Sequence, residues 1–242
     1  MKRRNLFTLV LVIIMICCCL FASAQESLLV DYSIPDPIES DRPGDFRGIW
    51  KARYMWFDRV VADIGALGEY DSYVVIFDGR GVLASGGLFS ALTVSYRDGK
   101  ATLDDGVNPV EAVLQSDGSL YFETEDGGLF YFRTEPEYET IPYWFLAGDP
   151  EKHTGRFARL EGTVLQALTS ETDGSGQMVF LADGASSQGI YCFFCKVPEK
   201  ELLEDEKVTI DVILGGQISY RNVEGDTITR PLAYVLSTAR SD

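Results

Sequence analysis

The chain has 242 residues, with 21 Lys and Arg against 37 Asp and Glu, a net charge of −16 and a single histidine. An acidic balance of that size repels polyphosphate and anionic lipid, which disfavours nonspecific binding to nucleic acid or a membrane surface. One histidine leaves His153 as the sole candidate for imidazole acid–base chemistry.

Residues 1–24 read MKRRNLFTLVLVIIMICCCLFASA. Lys2, Arg3 and Arg4 form a basic start, Leu6 to Ala22 is an uncharged apolar run, and Ala22-Ser23-Ala24 is a small-x-small cleavage site. The pattern predicts a secretory signal peptide cut before Gln25. The run is also nearly long enough to be an uncleaved membrane anchor. Lipidation at Cys17, Cys18 or Cys19 is disfavoured because Ile16 stands where a small residue is wanted. No later segment is apolar enough to span a bilayer, so the expectation is a periplasmic or secreted protein. The mature chain of about 218 residues has room for one large or two small domains. Its charge is 18 − 37 = −19.

Residues 25–45 carry Pro35, Pro37 and Pro43 among acids and read as an extended leader without a core of its own. From 46 to 134 short apolar runs are broken by Asp78-Gly79, Asp98-Gly99, Asp105-Gly106, Asp117-Gly118 and Asp126-Gly127. Asp-Gly supplies the positive-φ residues of tight hairpin turns, so each pair marks a strand reversal. The clearest hairpin is SLYFETEDGGLFYFRTE, where Leu120, Phe122 and Thr124 alternate with Tyr121, Glu123 and Glu125 before the chain returns through Leu129 to Arg133. This predicts a meandering antiparallel barrel, since closure removes exposed edges. MWFDRVVADIGALG, residues 55–68, has apolar spacing that predicts a short helix across one end.

Residues 135–155 form an aromatic-rich connector. Pro136, Pro142 and Pro150 predict no regular structure there, and Tyr143-Trp144-Phe145 is too apolar for a free linker. That triplet is expected to pack the two domains together, with an exposed partner-binding patch as the alternative. From 156 to 238 strands resume in LEGTVLQAL, GQMVFLAD and GIYCFFCKV, a short helix is expected at PEKELLEDE behind Pro198, and KVTIDVILGGQIS and RPLAYVLS follow. Asp173-Gly174 and Asp183-Gly184 mark the turns between the first three. Three strands, a helix and two strands is the order of the five-stranded OB barrel.

Two resemblances follow from these residues. Gly162-Thr163-Val164, Met178 to Leu181, Ile190-Tyr191-Cys192-Phe193, Leu202-Leu203 and Lys207-Val208-Thr209-Ile210 resemble the bacterial tRNA_anti-like OB-fold family over about 80 residues. The chain departs from that pattern at Glu204-Asp205-Glu206 and at Val212, where glycine is common. The family implies a fold and no catalytic residue. Between 156 and 238 seven basic residues face twelve acidic ones, whereas a nucleic-acid groove needs basic walls with stacking aromatics. Tyr191, Phe193 and Phe194 are placed to stack, so nucleic acid is a disfavoured partner and the third strand a candidate ligand face. The first half resembles lipocalin-like small barrels through Gly48-Ile49-Trp50, with Arg133 placed to cover Trp50 as in that family. The resemblance makes Trp50 and Arg133 candidate ligand-binding residues.

The chemistry motifs are sparse. His153 lies in the charged stretch GDPEKHTG and is expected to be exposed. No G-x-S-x-G, H-E-x-x-H or phosphate-cradling glycine loop occurs. Carboxylates are plentiful enough for a paired-acid hydrolase, yet most sit at Asp-Gly turns or in 199–206. ETDGSGQ, 171–177, lacks the alternating ligands of a calcium loop. Cys192 and Cys195 are too few for zinc and lie in an apolar strand, away from a thiolate-stabilising helix start. Strand residues three apart face opposite sides at roughly 10 Å. They are therefore read as unpaired, with a disulfide possible only if the strand bends. No metal or cofactor is implied. The expected protein has two small antiparallel barrels and acts outside the cytoplasm as a noncatalytic binding protein for a small molecule or protein partner. A carboxylate-based hydrolase and a structural envelope component are the alternatives.

Overall fold

Alternating apolar residues between tight turns make most of this chain strand, and the strands close into two barrels. The computed structural model describes residues 29–57, 60–67, 71–77, 79–124, 127–169, 177–182, 189–194, 201–222 and 224–240. The signal segment 1–24, Asp78, Asp126, the Asp173-Gly174 and Asp183-Gly184 turns, residues 171–176 and Cys195 lie outside the described residues. The chain divides into two compact units, which part between Glu135 and Pro136; Gly87–Phe89 group with the second.

The first unit contains β1 (Gly48–Phe57), β2 (Val60–Asp63), β3 (Ser72–Ile76), β4 (Arg80–Ser85), β5 (Leu88–Arg97), β6 (Lys100–Asp104), β7 (Pro109–Leu114), β8 (Leu120–Thr124) and β9 (Gly127–Arg133). Eight of these form an antiparallel ring in the order β1-β3-β4-β5-β6-β7-β8-β9, closed by β9 on β1. β2 pairs outside the ring with the second half of β1. Cross-strand partners share a face, so the register identifies the interior: Trp50 opposite Val74, Val74 opposite Leu83, Ala112 opposite Phe122, and Leu120 opposite Tyr131. All are buried. Eight strands leave an interior that side chains fill, and here the large Trp50, Phe122 and Tyr131 interleave with Ala52, Ala101 and Ala112. The Ser72 and Tyr131 hydroxyls meet at 2.9 Å, which satisfies both polar groups in that apolar interior.

The turns follow their sequence. At Asp98-Gly99 both residues have positive φ, +50° and +73°, and Arg97 pairs with Lys100, the geometry of a two-residue type I′ hairpin. Asp105 and Asp117 also accept backbone N–H groups of their own turns. The helix expected over 55–68 is not formed. β1 runs to Phe57, β2 occupies Val60–Asp63, and only Ile64–Leu67 make a 3-10 turn. Met55 pairs with Ala62 in the sheet, and a short apolar run of this kind fits either period until a pairing partner decides it.

The leader is held on the barrel wall. Val30 donates to Val61 O at 3.0 Å, Ile38 to Leu114 O at 2.9 Å, and Ser116 to Asp36 O at 2.9 Å. Tyr32 packs its ring 4.4 Å from Tyr54 and donates its hydroxyl to Asp117 at 2.6 Å. The segment ends in the one-turn helix α1 (Pro43–Phe46), whose Phe46 is buried.

The second unit contains β10 (Glu139–Thr140), α2 (Tyr143–Gly148), β11 (Phe157–Thr169), β12 (Gln177–Ala182), β13 (Gly189–Phe194), β14 (Lys207–Arg221) and β15 (Thr227–Arg240). The ring order is β11-β12-β13-β15-β14, closing β14 on β11, with β13 and β15 parallel and the other ring pairs antiparallel. This is the five-stranded OB barrel, and its parallel pair makes it mixed rather than wholly antiparallel. Val164, Val179, Leu181, Ile190, Cys192, Phe194, Ile210, Val212, Ala233 and Val235 fill the core. The connector is more ordered than its prolines suggest: α2 starts directly after Pro142, and Pro150–His153 form a 3-10 turn. Proline is tolerated at such starts, where its missing N–H costs nothing.

Of the helix expected over PEKELLEDE, residues 201–206 are turn and irregular chain, and 195–200 lie outside the described residues. Asp205 has φ +68° and donates to Val164 O, while Glu206 O accepts from Val164 N, so these backbone groups bond to β11 instead of a helix. β14 shifts register between Leu214 and Gln217, with Gly216 at φ +82°. Beyond that bulge, among the described residues, Gln217–Arg221 pair only with Thr227–Pro231. The result is a two-stranded ribbon that continues past the ring.

Candidate functional site

The period of two on β13 separates two roles in one strand. Ile190, Cys192 and Phe194 point into the core, so Tyr191 and Phe193 stand on the outer face. Register extends that face across four strands. Phe180 pairs with Tyr191 and Met178 with Phe193 on β12; Leu232 pairs with Tyr191 and Tyr234 with Phe193 on β15. On the ribbon, Ile218 pairs with Arg230 and Tyr220 with Ile228. The rings touch: Phe180 and Tyr191 centroids are 4.8 Å apart, Tyr191 and Tyr220 meet edge to face at 5.5 Å, and Phe193 stacks on Tyr234 at 6.0 Å. These are favourable aromatic geometries, and the ribbon is folded onto the face through Tyr220.

The face differs from the rest of the chain in charge. β12, β13, β14 and β15 contain one carboxylate, Asp211. Arg159 holds it through two bonds of 2.7 and 3.1 Å and Ser237 through one of 2.9 Å, and the Arg159 bonds keep it below the usual carboxylate range. Burial, then the Tyr220 hydroxyl, push the Tyr191 phenol up to about 12, against the opposing charge of Arg230. Burial likewise raises the Tyr143 phenol, again against Arg230. Both phenols are therefore protonated donors at neutral pH, and Tyr143 donates to Gly189 O. A neighbouring groove of 230 Å³ is lined by Ile141, Tyr143, Leu160 and Leu181 together with the charged Arg159 and Glu161.

The other residues singled out from sequence take different places. Trp50 has no exposed surface. Its indole N–H donates to Phe46 O at 2.8 Å, and the Arg133 guanidinium lies 4.6 Å over its ring while bonding Asp45 O. The pair lies where β9 closes on β1, with the guanidinium covering the indole. Phe194 is core, not a stacking residue. Tyr143 packs against the second core, whereas Trp144 is 72 % and Phe145 43 % exposed.

His153 is 1 % exposed, which overturns the expectation of an exposed linker histidine. The 3-10 turn tucks it under the Phe145 ring at 4.8 Å, and its Nδ1 accepts from Arg156 at 2.7 Å. Burial and then the Arg156 charge lower its pKa, so the imidazole is neutral. Arg156 continues the network to Glu139. Cys192 is a free thiol sealed in the core, and burial pushes its pKa far up; Cys195, the other half of the C-x-x-C, lies outside the described residues.

Phe180, Tyr220, Tyr234 and Arg230 were not singled out from the sequence. The alternation in GQMVFLAD carries the signal for Phe180, but the others require the long β14–β15 register. Among the described residues no Asp or Glu is buried, and no three His, Cys, Asp or Glu side chains gather as a metal site. No protein-family model and no curated protein matches the chain.

Proposed function

We propose that this is an extracytoplasmic, noncatalytic binding protein that holds a ring-bearing ligand on the outer face of β12, β13 and β15, beneath the β14–β15 ribbon. The observation that carries the reading is the charge contrast. A chain with 37 acidic residues presents five aromatic side chains on one face whose strands hold a single, already neutralised carboxylate. Aromatic rings stack flat ligands and sugar rings, and keeping acids away lowers the cost of desolvating that face. The strand order supports kinship with the tRNA_anti-like OB-fold family at the level of fold, without transferring an activity. The first barrel, filled by its own side chains, has no ligand in this reading.

Calorimetric titration of the protein with disaccharides tests it. Tyr191 is only 9 % exposed, so Tyr191→Ala lowers the melting temperature; binding that is lost in that variant while circular dichroism shows it folded at the assay temperature supports the face as the site, and unchanged binding removes it. For compartment, the full chain is expressed and the intact mass measured. A species beginning at Gln25 is expected, and a stable full-length species would argue for an anchored protein.

A second reading, a structural envelope component, is favoured by the 72 % exposure of Trp144. Its signature is loss of envelope retention in Trp144→Ser without loss of stability.

A further inference from the structure

We infer that the ligand carries a carboxylate, that Arg230 receives it, and that the ligand class is therefore an acidic saccharide such as a uronate-containing glycan. The inference rests on the aromatic face being the ligand site. Arg230 points to it. Several cations of this acid-rich chain pair with carboxylates, among them Lys51 with Asp71, Lys100 with Glu111, Arg97 with Asp98, Arg156 with Glu139, and Arg159 with Asp211. Among the described residues Arg230, on the acid-poor face, pairs with none. Its single hydrogen bond runs from Nη1 to Thr229 O, its own neighbour, at 3.2 Å. Its Nε is buried without any partner. A guanidinium half withdrawn from water with no carboxylate beside it is costly to hold, and an anion arriving at its terminal nitrogens neutralises that charge, while Nε stays buried behind them.

The surroundings define which anion. Arg230 stands opposite Ile218 on the ribbon, two residues from Leu232, which pairs with Tyr191. Its charge reaches both the Tyr191 and Tyr143 phenols. The terminal nitrogens, Nη2 and the remaining Nη1 donor, form a planar fork that matches the two oxygens of a carboxylate. A ring attached to that carboxylate falls on Tyr191, Phe180 and Tyr220. The Tyr143 phenol gives its proton to Gly189 O and the Tyr191 phenol bonds Tyr220, so their oxygens are left to accept from ring hydroxyls, as a sugar offers. One guanidinium suits one carboxylate per bound ring. A single-stranded oligonucleotide brings a phosphate with every base, and a net charge of −16 opposes that polyanion.

The test is calorimetric titration of the full chain with digalacturonate and, separately, with α-1,4-galactobiose, which has the same rings and linkage without the carboxylates. Wild type, Arg230→Met, Arg230→Lys and Tyr191→Ala are compared, with melting temperatures recorded for each. Digalacturonate is expected to bind the wild type about tenfold or more tightly than galactobiose, the factor a charge-assisted bond supplies. Arg230→Met should remove that advantage and leave galactobiose binding intact, Arg230→Lys should restore part of it, and Tyr191→Ala should weaken both sugars. Equal binding of the two sugars, with loss in Tyr191→Ala, overturns the carboxylate inference and leaves the aromatic face standing. Binding of neither sugar overturns both. Inorganic phosphate that binds as tightly as digalacturonate overturns ring recognition, and tighter binding of oligothymidine overturns the saccharide class.

Discussion

His153 shows how one buried side chain sets a pH response. Its folded pKa lies below the ordinary 6.5 because burial and Arg156 disfavour the imidazolium. As pH falls through 6.5 the unfolded chain takes up the proton first, so the stability associated with neutral His153 is complete above that value and lost below it. Urea unfolding between pH 8 and pH 5 should show falling stability in the wild type and a flatter profile in His153→Gln. Cys192 gives a second prediction at this scale. A buried thiol with a raised pKa should not react with a thiol reagent in the native state, and should react fully in denaturant. Rapid native labelling would mean the second core opens readily. The histidine's burial was not legible in GDPEKHTG, which looks solvated by composition; IYCFFCKVP already placed the cysteines in an apolar strand that raises a thiol pKa, and left open only which face each takes until a pairing partner fixes the register.

Among the elements, the closing seam between β1 and β9 is the most exacting. A Cβ on Gly127 would stand 1.9 Å from Trp56 O, and one on Gly128 would enter the Tyr121 ring at 2.2 Å. Gly127→Ala should therefore displace β9 from β1 at one end and destabilise the first barrel by several kcal/mol, on the order of the largest single-site effects. Thermal unfolding followed by near-UV circular dichroism measures it, and an unchanged melting temperature would show that the seam yields. Arg133→Ala removes the cation over Trp50 and should cost about 1–2 kcal/mol in the same measurement. The strands themselves were readable because Asp-Gly pairs and period-two alternation state where a hairpin turns. The segment 55–68 was not, since a four-residue strand such as β2 is too short to show a period. The 201–206 segment failed for another reason: its backbone found partners on β11, a tertiary preference that local helix propensity does not contain.

For the whole molecule, the two-barrel architecture was legible because strand count, turn spacing and the break at the prolines are all local quantities. The candidate site was legible in part. Tyr191 and Phe193 stood out as aromatics on a predicted strand, but the acid-poor character of the face emerges only when β12, β13, β14 and β15 are assembled. A net count over 156–238 averages that face with acidic turns elsewhere and hides it.

The ribbon beyond Gly216 carries a kinetic consequence. Among the described residues Gln217–Arg221 and Thr227–Pro231 have only each other as hydrogen-bonding strands, and two strands without a third are marginal in water. Their amides should exchange with solvent by local opening, well before those of Val212 or Ala233 in the ring. On the proposed function, a ligand gripped between Arg230 and Tyr191 would pin that opening, so deuterium uptake at Tyr220 and Ile228 should slow on saturation while uptake in the ring stays as it was. Release of such a ligand would wait on the ribbon, and its residence time would be a property of a hairpin's fraying.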